Sequence, residues 1–225
     1  MQNFLPGVRL PNPAPNSSSF VPFCFSSEAF RVISFNGRGI VVEDDFDRQQ
    51  YIKHLRKLVD LQRPDAVCLQ EVHGLEADVE LSLGRAFPGW RILSSHCLGP
   101  DGLPYPSAGG TAILVSPKIA HLATAEKLVL HPGRIMVAIL RLGDKVLNII
   151  NIHNAALPLV GVKRAVEFLA AARTRDTLSP LDSASILIGD INFLASGDRR
   201  FKAGRPVAAS LRAPASTSAT FRLFG

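Results

Sequence analysis

Short apolar runs constrain this chain more than any other feature: FRVISF (30–35), AVCLQ (66–70), TAILV (111–115), LNIINI (147–152) and SILIG (185–189). Each has the length of a β-strand, and little in them suggests one wet face, so they read as buried strands. Stretches with helical spacing lie between them. Residues 48–61 place Tyr51, Ile52, Leu55, Leu58 and Val59 on one face. Arg63-Pro64-Asp65 ends that helix, because proline cannot continue it. Residues 75–86 predict a second helix, and 161–173 a third with Val162, Ala165, Val166 and Leu169 aligned. Residues 90–95 add a strand, and 134–141 and 145–153 flank Gly143-Asp144, a hairpin signal. Hairpins mixed with helical connections predict an α/β chain: a mixed sheet, or two sheets packed face to face with helices outside.

The ends differ from this body. Residues 1–28 hold five prolines and the run Ser17–Ser19, and show no periodicity. Residues 201–225 are rich in Ala, Ser, Arg and Pro. We therefore expect an organised domain over 29–200, a loose leader over 1–28 and a low-order basic tail over 201–225.

Charge sharpens the division. The net charge is +6, but residues 199–225 contain six basic residues and no acidic one, so residues 1–198 are neutral. A basic tail attracts phosphate backbones, and is also what a solvated chain end looks like. A hydrophobic fraction of 47% excludes global disorder. No run of about 18 uncharged apolar residues is present, so no membrane span is expected. The N-terminus lacks a charged region ahead of an apolar one, so it makes a poor signal peptide. Three cysteines, Cys24, Cys68 and Cys97, give no even disulfide framework. The expected setting is intracellular, cytoplasmic or nuclear, and the oligomeric state is left open.

Several apolar runs end in a residue able to bind metal or phosphate. The first ends at Asn36 and the second at Glu71. LNIINI ends at His153, and SILIG at Asp190 with Asn192 two residues on. In open α/β sheets, ligands gather at the carboxyl ends of strands. Glu71 and Asp190 offer hard oxygen donors suited to Mg2+, which takes one or two carboxylates and keeps waters for a phosphate. Each residue also has a plain structural reading. Asn36-Gly37 is a common turn pair, Glu71 favours the start of a following helix, Asp190 suits a turn, and His153 suits a satisfied strand end. Zinc is disfavoured, because His73, His96 and His121 lack Cys/His ligand spacing. Ser107 and Ser116 lack the glycine pattern of a nucleophile elbow.

SFNGRGI (34–40), LQEVH (69–73), GGTAILVS (109–116), NIHN (151–154) and LIGDINF (187–193) follow one another in this order. In these motifs the chain resembles the endonuclease/exonuclease/phosphatase superfamily, and most of all its retroelement-type endonuclease domains. The resemblance covers about residues 30–200. It implies a two-layer β-sandwich flanked by helices (a four-layer αββα arrangement), with an incomplete second half. It implies a Mg2+ cofactor, with Mn2+ as an alternative, and a nucleic-acid partner, DNA above all. Matched residue by residue, Asn36 lies near the metal and the scissile phosphate, and Glu71 binds the metal. His153 serves acid/base chemistry. Asp190 orients or deprotonates the attacking water, and Asn192 contacts the phosphate and steadies that aspartate. Arg38 faces the nucleic-acid backbone.

One departure shapes the functional expectation. Members of the superfamily carry an Asp-His motif near their end, and no Asp-His pair occurs in these 225 residues. The expectation is a Mg2+-dependent phosphodiester hydrolase of endonuclease type, truncated, and weak or inactive. The alternatives are a non-catalytic, nucleic-acid-binding remnant of a retroelement, and a phosphatase of the same fold acting on phosphoinositides or sphingolipids.

Overall fold

A computed structural model of the chain describes residues 30–37, 39–40, 45–154, 157–178 and 182–190. The sequence-expected leader and tail, Arg38 and Asn192 lie outside the described residues. Among the described residues, eight strands and four helices run in the order β1 (Val32–Asn36), α1 (Asp45–Gln62), β2 (Ala66–Gln70), α2 (Glu76–Ala86), β3 (Arg91–Ser95), β4 (Thr111–Val115), α3 (Pro117–Ala120), β5 (Thr124–His131), β6 (Ile135–Leu142), β7 (Lys145–His153), α4 (Leu159–Leu178) and β8 (Ser183–Asp190).

The strands form two four-stranded sheets, ordered β1-β2-β4-β3 and β5-β6-β7-β8. Each sheet holds one parallel pair made by a helical crossover: β1 with β2 through α1, and β7 with β8 through α4. The remaining pairs are antiparallel. The sheets stack face to face, β1 over β8 and β2 over β7 and β8.

Strand periodicity explains the packing. Val32, Ala66, Cys68, Ile113 and Val115 turn inward and meet Met136, Ala138, Leu140, Leu147, Ile149, Ile186 and Ile188 of the other sheet. Their neighbours Ile33, Phe35, Val67, Leu69, Ala112 and Leu114 turn outward under α1 and α2, which bring Leu55, Val59, Val79 and Leu83. Ile135, Val137 and Ile150 turn outward under Ala165 of α4. Both faces of the central strands are covered, which is why they carry unbroken apolar runs. The architecture is the four-layer α/β sandwich, helix–sheet–sheet–helix.

Two details correct the sequence-based expectation. The third helix buries a face that only partly overlaps the expected one: Ala165 and Leu169 pack inward as aligned, joined by Phe168 and Ala172, while Val162 and Val166 are exposed. The helix is also longer than expected, so the stripe was read from one end of it. Strand β5 was not anticipated. TAEKLVLH is an edge strand that keeps much of its length in water, so it lacks an apolar run. No helix among the described residues is long and apolar enough to cross a membrane.

Candidate active site

Two parallel strands joined by a crossover must end at the same edge of their sheet. Each sheet has one such pair, and the pairs face each other. Asn36 closes β1 beside Gln70, and Glu71 directly follows β2. His153 closes β7, paired in register with Asp190 at the end of β8. Four residues from distant parts of the sequence thus reach one end of the sandwich. Contact across the sheets is direct: His153 Nε2 lies 3.2 Å from Glu71 Oε1.

The backbone around Glu71 is tightly held. Glu71 and His73 both adopt left-handed conformations, at φ 52° and 51°. A side chain there costs about 1–2 kcal/mol per residue. Hydrogen bonds offset the strain. The Gly37 amide donates to Gln70 O and the Gly39 amide to Glu71 O, each at 2.6 Å. The Val72 and His73 amides donate to Gly110 O and Gly109 O. Gly110 permits this close approach: a Cβ on it would stand 3.0 Å from Val72 Cγ2 and 3.3 Å from the His73 nitrogen.

His153 is buried, 1% exposed, between one anion and one cation. Its Nδ1 lies 2.9 Å from the Arg134 guanidinium. A guanidinium only donates, so Nδ1 must present its lone pair, and the neutral ring carries its proton on Nε2. That Nε2 faces Glu71 at ion-pair distance but off the line of a hydrogen bond, leaving a buried donor without an aligned partner. Burial lowers the His153 pKa, and Arg134 lowers it further. The carboxylates of Glu71 and Asp190 pull the other way and are outweighed. His153 is therefore a neutral donor beside Glu71. Nε2–H suits an anionic oxygen or a water, and is not a lone pair for a metal.

Arg134 was not singled out from the sequence. It ends the turn that follows Pro132-Gly133, just before β6, and nothing local in the sequence separates it from an ordinary surface arginine. A Cβ on Gly109 would stand 3.3 Å from the Arg134 guanidinium carbon, so glycine leaves room for that group beside His153.

No cluster of three or more His, Cys, Asp or Glu able to hold a metal exists among the described residues. That excludes a closed protein cage there. A hard cation can be held through one carboxylate with the rest of its shell left to water and substrate. Glu71 suits that role, since its side chain is 34% exposed and one of its oxygens faces His153.

The fold matches solved structures at low identity. TDP2 from Caenorhabditis elegans is 19% identical, with a TM-score of 0.48, covering 76% of this chain and 50% of that one. A humanized D. rerio TDP2 is 17% identical, with a TM-score of 0.47, covering 74% of this chain and 64% of that one. The endonuclease domain of TRAS1, a telomere-specific non-LTR retrotransposon, is 15% identical, with a TM-score of 0.44, covering 75% and 63%. The chain thus spans half to under two thirds of the length of these structures. Nothing among the curated proteins matches it. The sequence model of one family does match, over residues 33–222. That range takes in the strand-end residues described above, and the chain belongs to the endonuclease/exonuclease/phosphatase family.

Proposed function

We propose that the chain is a weak Mg2+-dependent phosphodiester hydrolase acting on DNA. The observation that carries the reading is the convergence of Asn36, Glu71, His153 and Asp190 at the ends of the two facing parallel pairs. Family membership supports hydrolysis of a phosphate ester as the reaction class. Glu71 would hold the cation, which when bound stabilises charge developing on the phosphate oxygens.

The remaining roles belong to the chain's own groups. Asp190 orients the attacking water and takes its proton. His153 offers Nε2–H to a phosphate oxygen. The neutral, Arg134-held imidazole suits this holding role better than protonation of the leaving oxygen. Asn36 sits at the same edge as a neutral partner for the phosphate. Asn192 and Arg38 complete the assignment as a phosphate contact and a backbone contact. These 225 residues contain no Asp-His pair. A missing donor to the transition-state charge typically costs about 100–1,000-fold in rate, hence the weak activity.

A supercoiled-plasmid nicking assay with and without Mg2+ tests the reading, alongside Glu71→Gln and Asp190→Ala. Slow, metal-dependent nicking lost in both variants is the expected result. DNA binding with no cleavage at any metal concentration would replace the hydrolase with a binding remnant. Release of inorganic phosphate from a lipid headgroup would move the substrate class to phosphatase.

A further inference from the structure

Beneath the site, a hydrogen-bonded polar cluster lies in the mainly apolar space between the sheets. Gln70, Asn151 and Ser34 are 1%, 0% and 5% exposed. The Gln70 Nε2 donates to Asn151 Oδ1 at 2.7 Å and to Cys68 O at 3.2 Å. The Ser34 hydroxyl donates to Gln70 Oε1 at 3.2 Å. The Asn151 Nδ2 donates to Leu69 O at 2.9 Å and to Ala112 O at 3.0 Å. Every side-chain nitrogen and oxygen of the two amides is therefore used. One asparagine of β7 is bonded to β2 and β4 of the opposite sheet.

Position gives this cluster a purpose. Gln70 immediately precedes Glu71, and Asn151 stands two residues before His153 on the same face of β7. Elsewhere the sheets meet mainly through aliphatic side chains, whose contacts are non-directional and tolerate sliding; separate polar crossings run from Lys127 to Ser94 O and from the Gly133 amide to Ser95 Oγ. Hydrogen bonds do not tolerate sliding: they weaken steeply with misalignment. We infer that Gln70 and Asn151 are positioning residues, a polar staple that sets the separation of Glu71 and His153 across the sandwich. A slip of the sheets by even an ångström would strain the three bonds that cross between them at once. The 3.2 Å approach of Glu71 to His153 would change with it.

Asn148 supplies the comparison. It is also fully buried on β7 and hydrogen-bonds Ser185, but on the strand's other face. Its loss costs packing without touching the opposite sheet. A staple and a mere core contact are thus separable in one strand.

The test uses the full chain labelled with 15N-histidine, with the His153 signals assigned through their loss in His153→Gln. The imidazole nitrogen shifts read the tautomer. Asn151→Leu and Gln70→Leu are expected to move these shifts towards a tautomer mixture, while Asn148→Leu, at a similar loss of melting temperature, leaves them unchanged. The metal part of the inference rests on the proposed hydrolase reading. There, Mn2+ titration is expected to show binding weakened about 10–100-fold in the staple variants, the usual cost of losing an outer-shell partner. If Asn151→Leu fails to fold, Ser34→Ala decides, since it removes one hydroxyl and leaves the Gln70 side-chain oxygen without its donor, loosening the amide that bonds Asn151. Unmoved His153 signals in the folded staple variants, or equal movement in Asn148→Leu, would overturn the staple. A wild-type chain that binds no Mn2+ would instead overturn the hydrolase reading, and the imidazole signals would still decide the positioning.

Discussion

Replacing Gly189 with alanine should disrupt the end of β8 more than any surface change of one methyl. Gly189 pairs with Ile152 and has φ 144°, a conformation L-residues rarely adopt. An added Cβ would overlap the Ile152 carbonyl oxygen and stand 2.8 Å from the Ile152 nitrogen. These are backbone atoms in mid-ladder, so no side chain can swing aside. Backbone strain of this kind costs about 1–3 kcal/mol, and forced overpacking about 1–3 kcal/mol more. Together they reach about 2–6 kcal/mol, a large part of the 5–15 kcal/mol typical of a whole domain. The strain is relieved if β8 lifts from β7 at its last residues. That movement breaks the 2.8 Å hydrogen bond from the Asn154 amide to Asp190 O and carries Asp190 away from His153. Urea unfolding of Gly189→Ala should show the lost stability, and hydrogen exchange should show a deprotected Asn154 amide. A loss under about 1 kcal/mol, with that amide still protected, would refute the predicted clash.

Other expectations follow from burial and charge. Leu114→Ala should lower the urea midpoint by a cost of about 2–5 kcal/mol, because Leu114 is fully buried between β4 and α1/α2; an unchanged midpoint would mean the outer layer is loosely packed. Burial raises the Cys68 pKa well above its ordinary 9.0. Its contribution to stability is therefore complete below about pH 9 and lost as pH rises, since the unfolded thiol ionises while the folded one does not. Stability of the wild type should fall more steeply above about pH 9 than that of Cys68→Ala, and parallel curves would contradict the buried neutral thiol. Arg134→Met removes a charge-assisted bond of about 1.5–3 kcal/mol, so plasmid nicking should drop about 10–100-fold, and full activity would remove Arg134 from the site.

Much of this fold could be read in the sequence because the central strands are covered on both faces. AVCLQ and TAILV are buried throughout and apolar but for Gln70 and Thr111 at one end, and could be little else. Strand β5 escaped because an edge strand half in water carries no such run. The face of α4 was misplaced in part, at Val162 and Val166, because small residues carry much of its contact. Ala165 and Ala172 are buried, whereas the bulkier Val162 and Val166, which dominate any reading by hydrophobicity, stand in water. At the site, residues that end apolar runs were legible: Asn36, Glu71, His153 and Asp190 announce themselves as polar groups where strands stop. Arg134 and Asn151 did not. Arg134 matters only through the lone pair of an imidazole 19 residues away, and Asn151 through carbonyls on another sheet 39 and 82 residues away. Such partnerships depend on register across the sandwich, which no local pattern encodes.

The strain at Glu71 means that the site is held at a cost to stability. At φ 52° the carboxylate residue sits where glycine would be at ease. Releasing a side chain from that region gains about 1–2 kcal/mol, while the extra freedom of an unfolded glycine takes back about 0.5–1 kcal/mol. Glu71→Gly should therefore be as stable as the wild type or up to about 1.5 kcal/mol more stable, contrary to the usual penalty for glycine. The hydrogen bonds that fix this turn come from backbone groups of residues 37, 39 and 70–73, so they survive the substitution. What disappears is the carboxylate facing His153. The same variant should therefore show no metal-dependent nicking, so that stability is kept or raised while function is lost. Urea unfolding and the plasmid assay on one preparation measure both halves. A Glu71→Gly chain destabilised by more than about 1 kcal/mol would show that the left-handed turn is not strained, and that the carboxylate itself holds the two sheets together.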